Sequence, residues 1–589
     1  MAAFHLPPVR RLLTLTTLLA AFLLVHVPPA TAVNTAANPI CPAEEVFYNP
    51  GNGEDIIVPA GYKVEVFARD LNFPTGIAFR GNRNNFQVFV LESGTGLPGR
   101  CNNNAAVPLS TGVFDPDNPF TPGLVIFDQD GHRIAGQIGK PEPGGEGFQP
   151  DGPAIGLAFE HGFAGGRLFA SDSNQGVRGA PGQGNNTSRL VTVNQQGRVL
   201  PFITGLPTGD HPTETILIQE NFIYWAQGSA TNAGVTGHDN GGGGNQHDLA
   251  CQAITLSQNL FDSGDGHLTS GYSNHGVQRL GAVVPAFEDA TAPGMCTGAV
   301  LRARLDSANP TATIAPFSWG YRNPFGIRFA PQDHALRGAL MVTENGEDER
   351  GARPTNNAPD RLQVARQNPD GTPDYHGWPD RFGFLESTQA VFNPVGGVAD
   401  DNPAAVVGKP VRPVLAFPPQ AITAPLAIEP SDVAVVGLDF APEAFVHDTV
   451  RRGAALIARE GDFGFSKANG VPEAGHDIEL VNFSRPGEVL RIEQSRFAFN
   501  CAQAEQIRVP GQAPQCAGAS EQAFVAELRG INRPITVEFG PDGNLYLVDY
   551  GAVRDFGQAD PESQFLDPAD APLVQIPGTG VIWKISRAQ

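Results

Sequence analysis

Four polar residues stand at the starts of strand-like runs and carry side chains suited to proton transfer and anion binding: His211, Arg322, Asn323 and Arg533. An imidazole suits a base that takes a proton from an alcohol. Guanidinium forks suit carboxylates or quinone oxygens. Each residue also has a structural reading, because a strand-start His is often a hydrogen-bonded loop residue and Asn-Pro is an ordinary turn initiator. The functional reading therefore requires a fold that brings these positions together.

The densest polar loop spans residues 343–362, and its carboxylates are Glu344, Glu347, Asp348, Glu349 and Asp360. Oxygen ligands without His or Cys favour a hard cation such as calcium. No EF-hand spacing is present, so the alternative is a solvated acidic loop. In that alternative the arginines of the loop form ion pairs with the loop's own carboxylates, and these arginines are Arg350, Arg353 and Arg361.

A second polar loop, residues 237–251, contains His238, Asp239, His247 and Asp248. Its His spacing matches no helical zinc motif, and its run of glycines lacks the ending of a phosphate-binding loop. We interpret this loop as a cover over the candidate site, with metal binding as the alternative. The sequence shows no nucleophile elbow and no dinucleotide fingerprint in a strand–helix context.

Six copies of one sequence pattern must position these residues. Each copy begins with a polar residue or Pro, continues with a small residue, and then has alternating apolar positions that mostly end in Phe. The copies lie at 73–79, 152–159, 211–218, 322–331, 435–442 and 532–543. A second strand-like run follows each copy. A third, of the form Gly-x-apolar-x-apolar, follows most of them, with examples at 122–131, 188–197, 298–306 and 487–493.

Alternating apolar residues bounded by Gly, Pro, Asn and Asp are typical of strands. Six units of several strands predict an all-β, six-bladed β-propeller with inserted loops over 61–589. The run at 62–69 and the terminal run at 580–587 are expected to close one blade together, which would remove an exposed sheet edge. Two β-sandwiches are the rival. In a propeller the four strand-start residues converge on one axis.

Composition excludes several classes of protein. The chain has 589 residues, with 39 basic and 61 acidic side chains and a net charge of −22. Such a chain is a poor non-specific binder of nucleic acid, because phosphate contacts need a basic face. With 41% hydrophobic residues it is not a disordered chain.

Residues 1–32 have the three parts of a secretory signal peptide, ending in the small-x-small site Ala30-Thr31-Ala32. An N-terminal membrane anchor is the alternative. Residues 33–60 are then an N-terminal extension of a secreted or periplasmic protein with no stable membrane insertion after cleavage, and a monomer is the default. Overlapping glycosylation sequons occur at 185–188.

The six cysteines suggest disulfides in an exported chain. Neighbourhood favours Cys501–Cys516, then Cys251–Cys296 and Cys41–Cys101. Spacing alone leaves all fifteen connectivities open.

Segments 64–79, 211–229, 319–331, 343–362, 375–383 and 533–549 together resemble the soluble glucose/sorbosone dehydrogenase family. Members are six-bladed propellers, and the characterised enzymes depend on pyrroloquinoline quinone (PQQ). The resemblance covers roughly residues 60–589. It implies PQQ and Ca²⁺ as cofactors, a sugar substrate and an external electron acceptor.

The resemblance also implies roles for individual residues. His211 resembles the general base, and Arg322 with Asn323 matches a signature that contacts quinone and substrate. Arg533 resembles an Arg that holds a cofactor carboxylate, and Arg459 is the nearest basic residue to a fifth-blade cofactor contact. The implied calcium loop consists of Asn345, Gly346, Glu347 and Asp360.

Three functions therefore stay open from the sequence. The first is an exported PQQ-dependent sugar dehydrogenase that passes the substrate's C1 hydride to the quinone. The second is a non-catalytic propeller that binds carbohydrate or protein, and the third is a calcium-dependent lactonase. The Arg residues favour the first, because a trianionic cofactor needs cations.

Overall fold

The structure is a computed structural model. It describes residues 35–37, 45–47, 49–94, 121–139, 147–150, 152–175, 186–237, 246–263, 266–348, 351–353, 355, 358–383, 385–386, 411–419, 424–431, 433–461, 475–518, 529–555, 573–575 and 578–588. The predicted signal peptide, the Cys41–Cys101 pair, His238, Asp239, Glu349 and Arg350 lie outside these residues.

Six sheets of four or five strands follow one another along the chain and form a six-bladed β-propeller. Each predicted repeat supplies the innermost strand of one blade, which confirms the fold class. The innermost strands are Pro74–Asn82, Leu157–Phe159, Thr213–Gln219, Asn323–Phe329, Val435–Phe440 and Pro534–Phe539.

The remaining strands of each blade follow outwards in antiparallel order. The second strands are Asn85–Glu92, Leu168–Asn174, Phe222–Gln227, Leu340–Asn345, Ala455–Arg459 and Leu545–Asp549. The third strands are Gly123–Asp128, Thr187–Val193, Ala299–Arg304, Arg361–Ala365, Asp477–Phe483 and Gly580–Arg587. The fourth strands are Arg133–Ile138, Val199–Pro207, Ala315–Trp319, Ala427–Ile428, Ile492–Asn500 and Tyr62–Leu71.

Both ends of the chain build the sixth blade. Its third strand, Gly580–Arg587, pairs antiparallel with Tyr62–Leu71, and Trp583 lies opposite Val66 in the register. The N-terminal strand therefore covers an edge that would otherwise expose unpaired backbone groups. The predicted closure by the two ends is confirmed.

One predicted strand is wrong. The run at 487–493 was expected to be a third strand, but the third strand of blade 5 is Asp477–Phe483, and the fourth begins at Ile492. All seven residues of Asp477–Phe483 are buried. Polar and apolar residues alternate in this strand except at Leu480–Val481, and the Pro-Gly turn at 486–487 separates it from the next strand.

The core lies between neighbouring blades. Blades 5 and 6 share a cluster that contains Leu456, Val537 and Trp583. Blades 1 and 2 share another, around Phe89 and Phe159, whose rings stack edge to face with centroids 5.0 Å apart. Each fully buried apolar side chain of this size contributes about 1.5–3 kcal/mol. Contacts between blades therefore hold the ring closed.

Glycines let the innermost strands approach one another closely at the channel. A Cβ on Gly326 would lie 2.3 Å from the carbonyl oxygen of Val436 in the next blade. A Cβ on Gly156 would lie 2.6 Å from the backbone nitrogen of Ile216. A side chain at either position would force neighbouring backbones apart. The small residue in the repeated pattern is thus required by the closeness of adjacent blades.

Insertions add two extra strands and several small sheets. Asp374–Tyr375 extends blade 3, and Ile56–Ile57 extends blade 5. The two-stranded sheets are Thr35–Ala37 with Glu45–Phe47, Ile254–Thr255 with Val283–Val284, Phe261–Asp262 with Leu268–Thr269, Arg381–Phe382 with Leu385–Glu386, Gln506–Ile507 with Gln515–Cys516, and Val553–Asp555 with Leu573–Gln575. The 3₁₀ helices are Gly162–Ala164, Pro310–Thr313, Glu443–Phe445 and Gln503–Glu505.

Two predicted disulfides are confirmed. Cys251 bonds to Cys296 within the blade 3 insertion, and Cys501 bonds to Cys516 beside blade 5. Both fix loops that leave the propeller, so they stabilise the insertions more directly than the ring. In the part of the chain that the structure describes, no helix has the length and apolar character to cross a membrane.

Candidate functional site

His211 lies directly before the innermost strand of blade 3, beside a buried carboxylate. Its Nε2 is 3.3 Å from Oδ2 of Asp210, which is 3% exposed. The backbone amide of His211 donates to the carbonyl of Ser229, and that of Asp210 donates to Ala230. These bonds fix both residues. A carboxylate at this distance favours the protonated imidazole, so the pair can accept a proton from a bound hydroxyl.

Arg322 lies directly before the innermost strand of blade 4 and reaches the same carboxylate. Its Nη2 is 3.5 Å from Asp210 and 2.5 Å from Asp348, and its Nη1 donates to the carbonyl of Gly346 at 2.6 Å. Its buried Nε has no hydrogen-bond partner among the described residues. Asp210 thus joins His211 to Arg322, and the guanidinium keeps one donor for another group.

The residues of the predicted calcium loop come together between blades 4 and 5. The Gly346 amide donates to Asp360 at 2.7 Å, and the Asn345 side chain donates to the carbonyl of Val435. Asn323 donates in turn to Asn345 at 3.0 Å. Burial raises the pKa of Asp360 to about 7, although its two backbone hydrogen bonds oppose this. The loop is a compact, oxygen-rich turn.

Glu347 is the fourth predicted ligand, and it is buried against Arg361. Arg361 lies 3.1 Å from Glu347 and 3.4 Å from Glu344, and all three side chains are fully buried. Oε1 of Glu347 has no hydrogen-bond partner within the described ranges. The expected internal pairing of the loop arginines is therefore present for Arg361, but these carboxylates are not solvated.

Arg533 lies at the start of the innermost strand of blade 6. Its Nη1 donates to the carbonyl of Gly461 at 2.7 Å, and its backbone amide donates to Asp549. Arg459 lies at the end of a second strand in blade 5. There both ends of its guanidinium bond to Asp477 at 2.6 Å, and Glu429 lies 3.4 Å away. Arg533 is bonded to a backbone carbonyl, whereas Arg459 is bound by Asp477 of its own blade and by Glu429, which directly follows the last strand of blade 4.

The sequence did not single out His476, which lies beside Arg533. Its Nδ1 is 2.6 Å from the carbonyl oxygen of Asn532, and its backbone has φ of 55°. Burial lowers the pKa of His476 to about 3, and the charge of Arg533 acts in the same direction, so the ring is neutral. The repeated pattern gives no signal for it, because it precedes a third strand rather than an innermost one.

Glu460 and Glu214 were also missed. Burial raises the pKa of Glu460 to about 7 against the opposing effect of Arg533, and burial, with a smaller effect of Glu460, raises the pKa of Glu214. We call the following set the upper ring: His211, Arg322, Asn323, Glu460, His476, Asn532 and Arg533. It lies at the end of the channel where the innermost strands begin.

Seven buried polar atoms at this end of the propeller have no hydrogen-bond partner among the described residues. Nearly all buried polar atoms in folded proteins have a hydrogen-bond partner. Those that lack one here, counted only within the described residues, are Asn72 Nδ2, Asn174 Oδ1, Glu214 Oε2, Arg322 Nε, Asn323 Oδ1, Glu347 Oε1 and Asn532 Nδ2. They come from five blades. Such a convergence of unused donors and acceptors marks a binding site for a polar ligand.

The structure describes part of the loop at 237–251. In that part the polar side chains anchor the loop rather than form a metal site. Asp248 accepts hydrogen bonds from the Ala230 amide and from the hydroxyls of Thr231 and Thr297. His247 lies 3.4 Å from Asp289. Asp248 therefore holds this loop against the segment that carries His211.

One group of three potential metal ligands occurs in the described part of the chain: Asp128, Asp130 and His132. It lies in an exposed turn of blade 1, where Asp128 accepts from the amides of Asp130 and His132. These bonds explain the cluster as a turn. A calcium ion at the loop of Gly346 would accordingly need backbone carbonyl oxygens in its ligand set.

Comparisons with known proteins find similar structures but no sequence family. No protein-family model matches the chain, and no curated protein matches it. A Trichoderma reesei enzyme of Carbohydrate-Active Enzymes Family AA12 is 14% identical, with a TM-score of 0.44 over 92% of this chain and 99% of that one.

Two bacterial proteins are similar to the same degree. A putative oxidoreductase (glucose dehydrogenase) from Thermus thermophilus is 14% identical, with a TM-score of 0.40 over 89% of this chain and 100% of that chain. The soluble aldose sugar dehydrogenase of Escherichia coli is 13% identical, with a TM-score of 0.41 over 90% and 100%. The six-bladed fold rests on the strand order of this chain.

Proposed function

We propose that this protein is an exported sugar oxidoreductase that uses PQQ and calcium. The observation that carries the proposal is the convergence of His211, Asp210 and Arg322 beside unpartnered buried polar atoms. A base next to a carboxylate and a guanidinium is what removal of a hydroxyl proton requires. The motifs that resemble the glucose/sorbosone dehydrogenase family supply two of these residues, His211 and Arg322.

The residues of the upper ring fit an anionic quinone only if a cation is bound together with it. Arg322 Nε and Asn532 Nδ2 are unused donors that suit anionic carboxylate or quinone oxygens. Both arginines of the upper ring, however, already have carboxylates close by: Asp210 and Asp348 lie near Arg322, and Glu460 acts on Arg533. An anionic cofactor therefore needs extra positive charge, which calcium would bring.

Calcium would be held by the loop between blades 4 and 5. Oε1 of Glu347 is without a partner in the described residues, and the carbonyl of Gly346 has a second lone pair beside the one that Arg322 uses. Asp360 would contribute when it loses its proton. These are hard oxygen donors, which calcium prefers.

The bound quinone would supply the acceptor for the hydride of the substrate. The protein's own residues do the rest. His211 takes the hydroxyl proton, and Asp210 stabilises the imidazolium that results. Arg322 orients the substrate oxygen and stabilises negative charge on it. Arg533 and the neutral His476 hold the far side of the ligand.

The disulfide bonds of the chain agree with export. The Cys251–Cys296 and Cys501–Cys516 disulfides suit an oxidising compartment. We therefore place the enzyme outside the cytoplasm, as a monomer that passes electrons to an external acceptor. The predicted signal peptide provides the route.

The test uses the mature protein, dialysed against a chelator and titrated with PQQ with and without calcium. Calcium-dependent binding in the micromolar range is expected, followed by dye reduction with aldoses. His211→Gln should bind quinone but lose dye reduction, whereas His132→Gln, in the exposed turn of blade 1, should behave as wild type. Absence of quinone binding would overturn the proposal, and glycan binding or lactone hydrolysis would then be the functions to assay.

A further inference from the structure

Blade 2 contributes two consecutive amide side chains to the end of the channel where the upper ring lies. Asn174 is the last residue of the second strand of this blade, and Gln175 follows it directly. The side-chain nitrogen of Gln175 donates to the carbonyls of Gly209 at 2.7 Å and Asp210 at 2.9 Å. Gln175 therefore fixes the chain directly before His211 against blade 2.

The partners of Gln175 determine the orientation of its amide. Both partners are carbonyl oxygens, so the atom that faces them must be the nitrogen, whose two N–H groups can supply both bonds. Within the described ranges, no group donates a hydrogen bond to the remaining oxygen, Oε1, and the side chain is only half-buried. Gln175 thus holds the backbone of the base and keeps one acceptor for another group.

Asn174 is the more enclosed of the two amides. It is 7% exposed, and its Oδ1 is a buried oxygen without a hydrogen-bond partner in the described part of the chain. Nearly all buried polar atoms in folded proteins are paired, so a ligand or water must match such an atom. Asn174 therefore has unused hydrogen-bonding capacity next to the residue that holds Asp210.

The charges around the upper ring differ from blade to blade. Arg322 of blade 4 and Arg533 of blade 6 stand at the starts of innermost strands and suit anionic groups. In blade 2, Arg189 is bound to Asp172 at 2.6 Å and to the Gly147 carbonyl at 2.7 Å, so its charge is matched. Blade 2 therefore offers neutral amides, which pair with hydroxyl groups, whereas blades 4 and 6 attract an anionic cofactor.

We propose that Asn174 and Gln175 form a hydroxyl-binding subsite on blade 2 for an uncharged polyol. This inference rests on the proposed function and names the side of the site that holds the sugar. Asn174 is a substrate-binding residue, because a free carboxamide can donate to and accept from sugar hydroxyls. Gln175 is a positioning residue, because it acts on the substrate through Asp210 and His211. The hydroxyl that loses its proton lies toward His211, and its neighbours lie toward blade 2.

The first experiment measures sugar binding and needs no quinone. Mature protein is titrated calorimetrically with D-glucose, D-galactose and their monodeoxy analogues. Wild type should bind at least one deoxy analogue about tenfold more weakly than the parent sugar, because a site that pairs with a hydroxyl rejects the analogue that lacks it. Equal affinity of wild type for both parent sugars and every analogue would overturn the subsite, as would absence of binding.

Variants then locate the preference. Asn174→Ala should bind the preferred sugar about tenfold more weakly and should no longer distinguish it from the deoxy analogue. The matched control is Asn84→Ala, in an exposed hairpin of blade 1, which should bind as wild type. Thermal unfolding of both variants separates lost affinity from lost fold. An Asn174→Ala protein that keeps the wild-type preference would overturn the role of Asn174.

The second experiment tests Gln175 with quinone, calcium and dye. Gln175→Met keeps the length of the side chain but has no donor for the carbonyls of Gly209 and Asp210. We expect kcat to fall about tenfold and the acid limb of its pH profile to move to lower pH, because Asp210 then stabilises the imidazolium less well. Asn174→Ala should instead raise KM about tenfold with kcat nearly unchanged. An unchanged kcat and pH profile in Gln175→Met would overturn its positioning role.

The subsite and the proposed function fail in different ways. A wild type that prefers a sugar to its deoxy analogue but reduces no dye would overturn the proposed function and leave the subsite in place. A wild type that reduces dye but does not distinguish the sugars from their deoxy analogues would overturn the subsite and leave the proposed function in place.

Discussion

Each end of the central channel contains one arginine from the chain segment around the innermost strand of blade 4. The two arginines differ in how many of their hydrogen bonds are made. Arg322 precedes the innermost strand of blade 4, and Arg328 lies within it. Arg328 binds Asp439 of blade 5 and Glu538 of blade 6, and none of these three has a buried polar atom without a partner in the described residues. Arg322 binds Asp210 and Asp348 and keeps an unused Nε.

This difference separates a structural ion cluster from a candidate binding site. At the lower end Arg328 of blade 4 binds two carboxylates, one from blade 5 and one from blade 6, so the cluster ties the ring together. At the upper end donors and acceptors from five blades are left over. Composition alone does not distinguish the two arginines, because both lie among carboxylates. The distinction is the number of hydrogen bonds left to make.

The largest expected effect comes from the same conservative substitution at each end. Arg322→Lys should lower kcat/KM by about 10²–10³, because an ammonium keeps the charge but loses the planar fork. Arg328→Lys should leave kcat/KM within about twofold of wild type, since it touches no ligand. Dye-reduction kinetics measure both. Equal losses in the two variants would remove the functional distinction between the ends.

Truncation of the lower arginine should mainly affect stability. Arg328→Ala leaves Asp439 and Glu538 without their cation, so the free energy of unfolding should fall by about 2–3 kcal/mol. Urea denaturation measures this, with Arg304→Ala, whose Asp306 partner is solvent-exposed, as the control near zero. A stability loss as small as that of the control would contradict the structural role of Arg328.

Calcium should stabilise the upper end by an amount that depends on pH. Free calcium at about 100 times its Kd should add about 2.7 kcal/mol to the free energy of unfolding. Asp360, whose pKa burial raises to about 7, must lose its proton to act as a ligand. Calcium affinity should therefore weaken by up to about tenfold per pH unit below about pH 7.

Calorimetric titration at two pH values checks this dependence. Glu347→Gln should weaken calcium binding, whereas Asp128→Asn, in the exposed turn of blade 1, should not. Calcium affinity that is independent of pH and of Glu347 would show that the loop between blades 4 and 5 is not the site.

The smallest expected effect comes from a substitution that lies between the two ends of the channel. Gly326→Ala places a methyl 2.3 Å from the carbonyl oxygen of Val436, so strain should cost about 1–3 kcal/mol of stability. The equivalent position in blade 6 already holds Thr536, and Thr536→Ala should cost less. Thermal unfolding of the two variants gives the comparison. A neutral Gly326→Ala would mean that blades 4 and 5 can separate at the channel without cost.

Much of the fold could be predicted because the repeat is local. Each innermost strand carries its own alternation and its own small residue, so six copies indicate six blades. The third strand of blade 5 could not be found this way. Its polar and apolar residues alternate except at Leu480–Val481, but no Gly-x-apolar-x-apolar run begins it, and third strands were predicted from that form.

The candidate site was predicted in part. Residues that belong to the repeat, such as His211 and Arg533, could be placed at one end of the channel. Asp210, His476 and Glu460 could not, because their importance comes from partners more than a hundred residues away or from other blades. Arg459 has the residue type expected of a cofactor contact, but Asp477 of blade 5 and Glu429 at the end of blade 4 bind it.

The sequence by itself determined the number of blades, the closure by both ends and the residues at the strand starts, because periodicity and turn chemistry act over short distances. The tertiary structure decided which charges are matched. Asp210 joins His211 to Arg322, and Arg328 binds carboxylates of two other blades. Desolvation and hydrogen bonding depend on neighbours in space, and the ring of blades brings those neighbours together from distant parts of the chain.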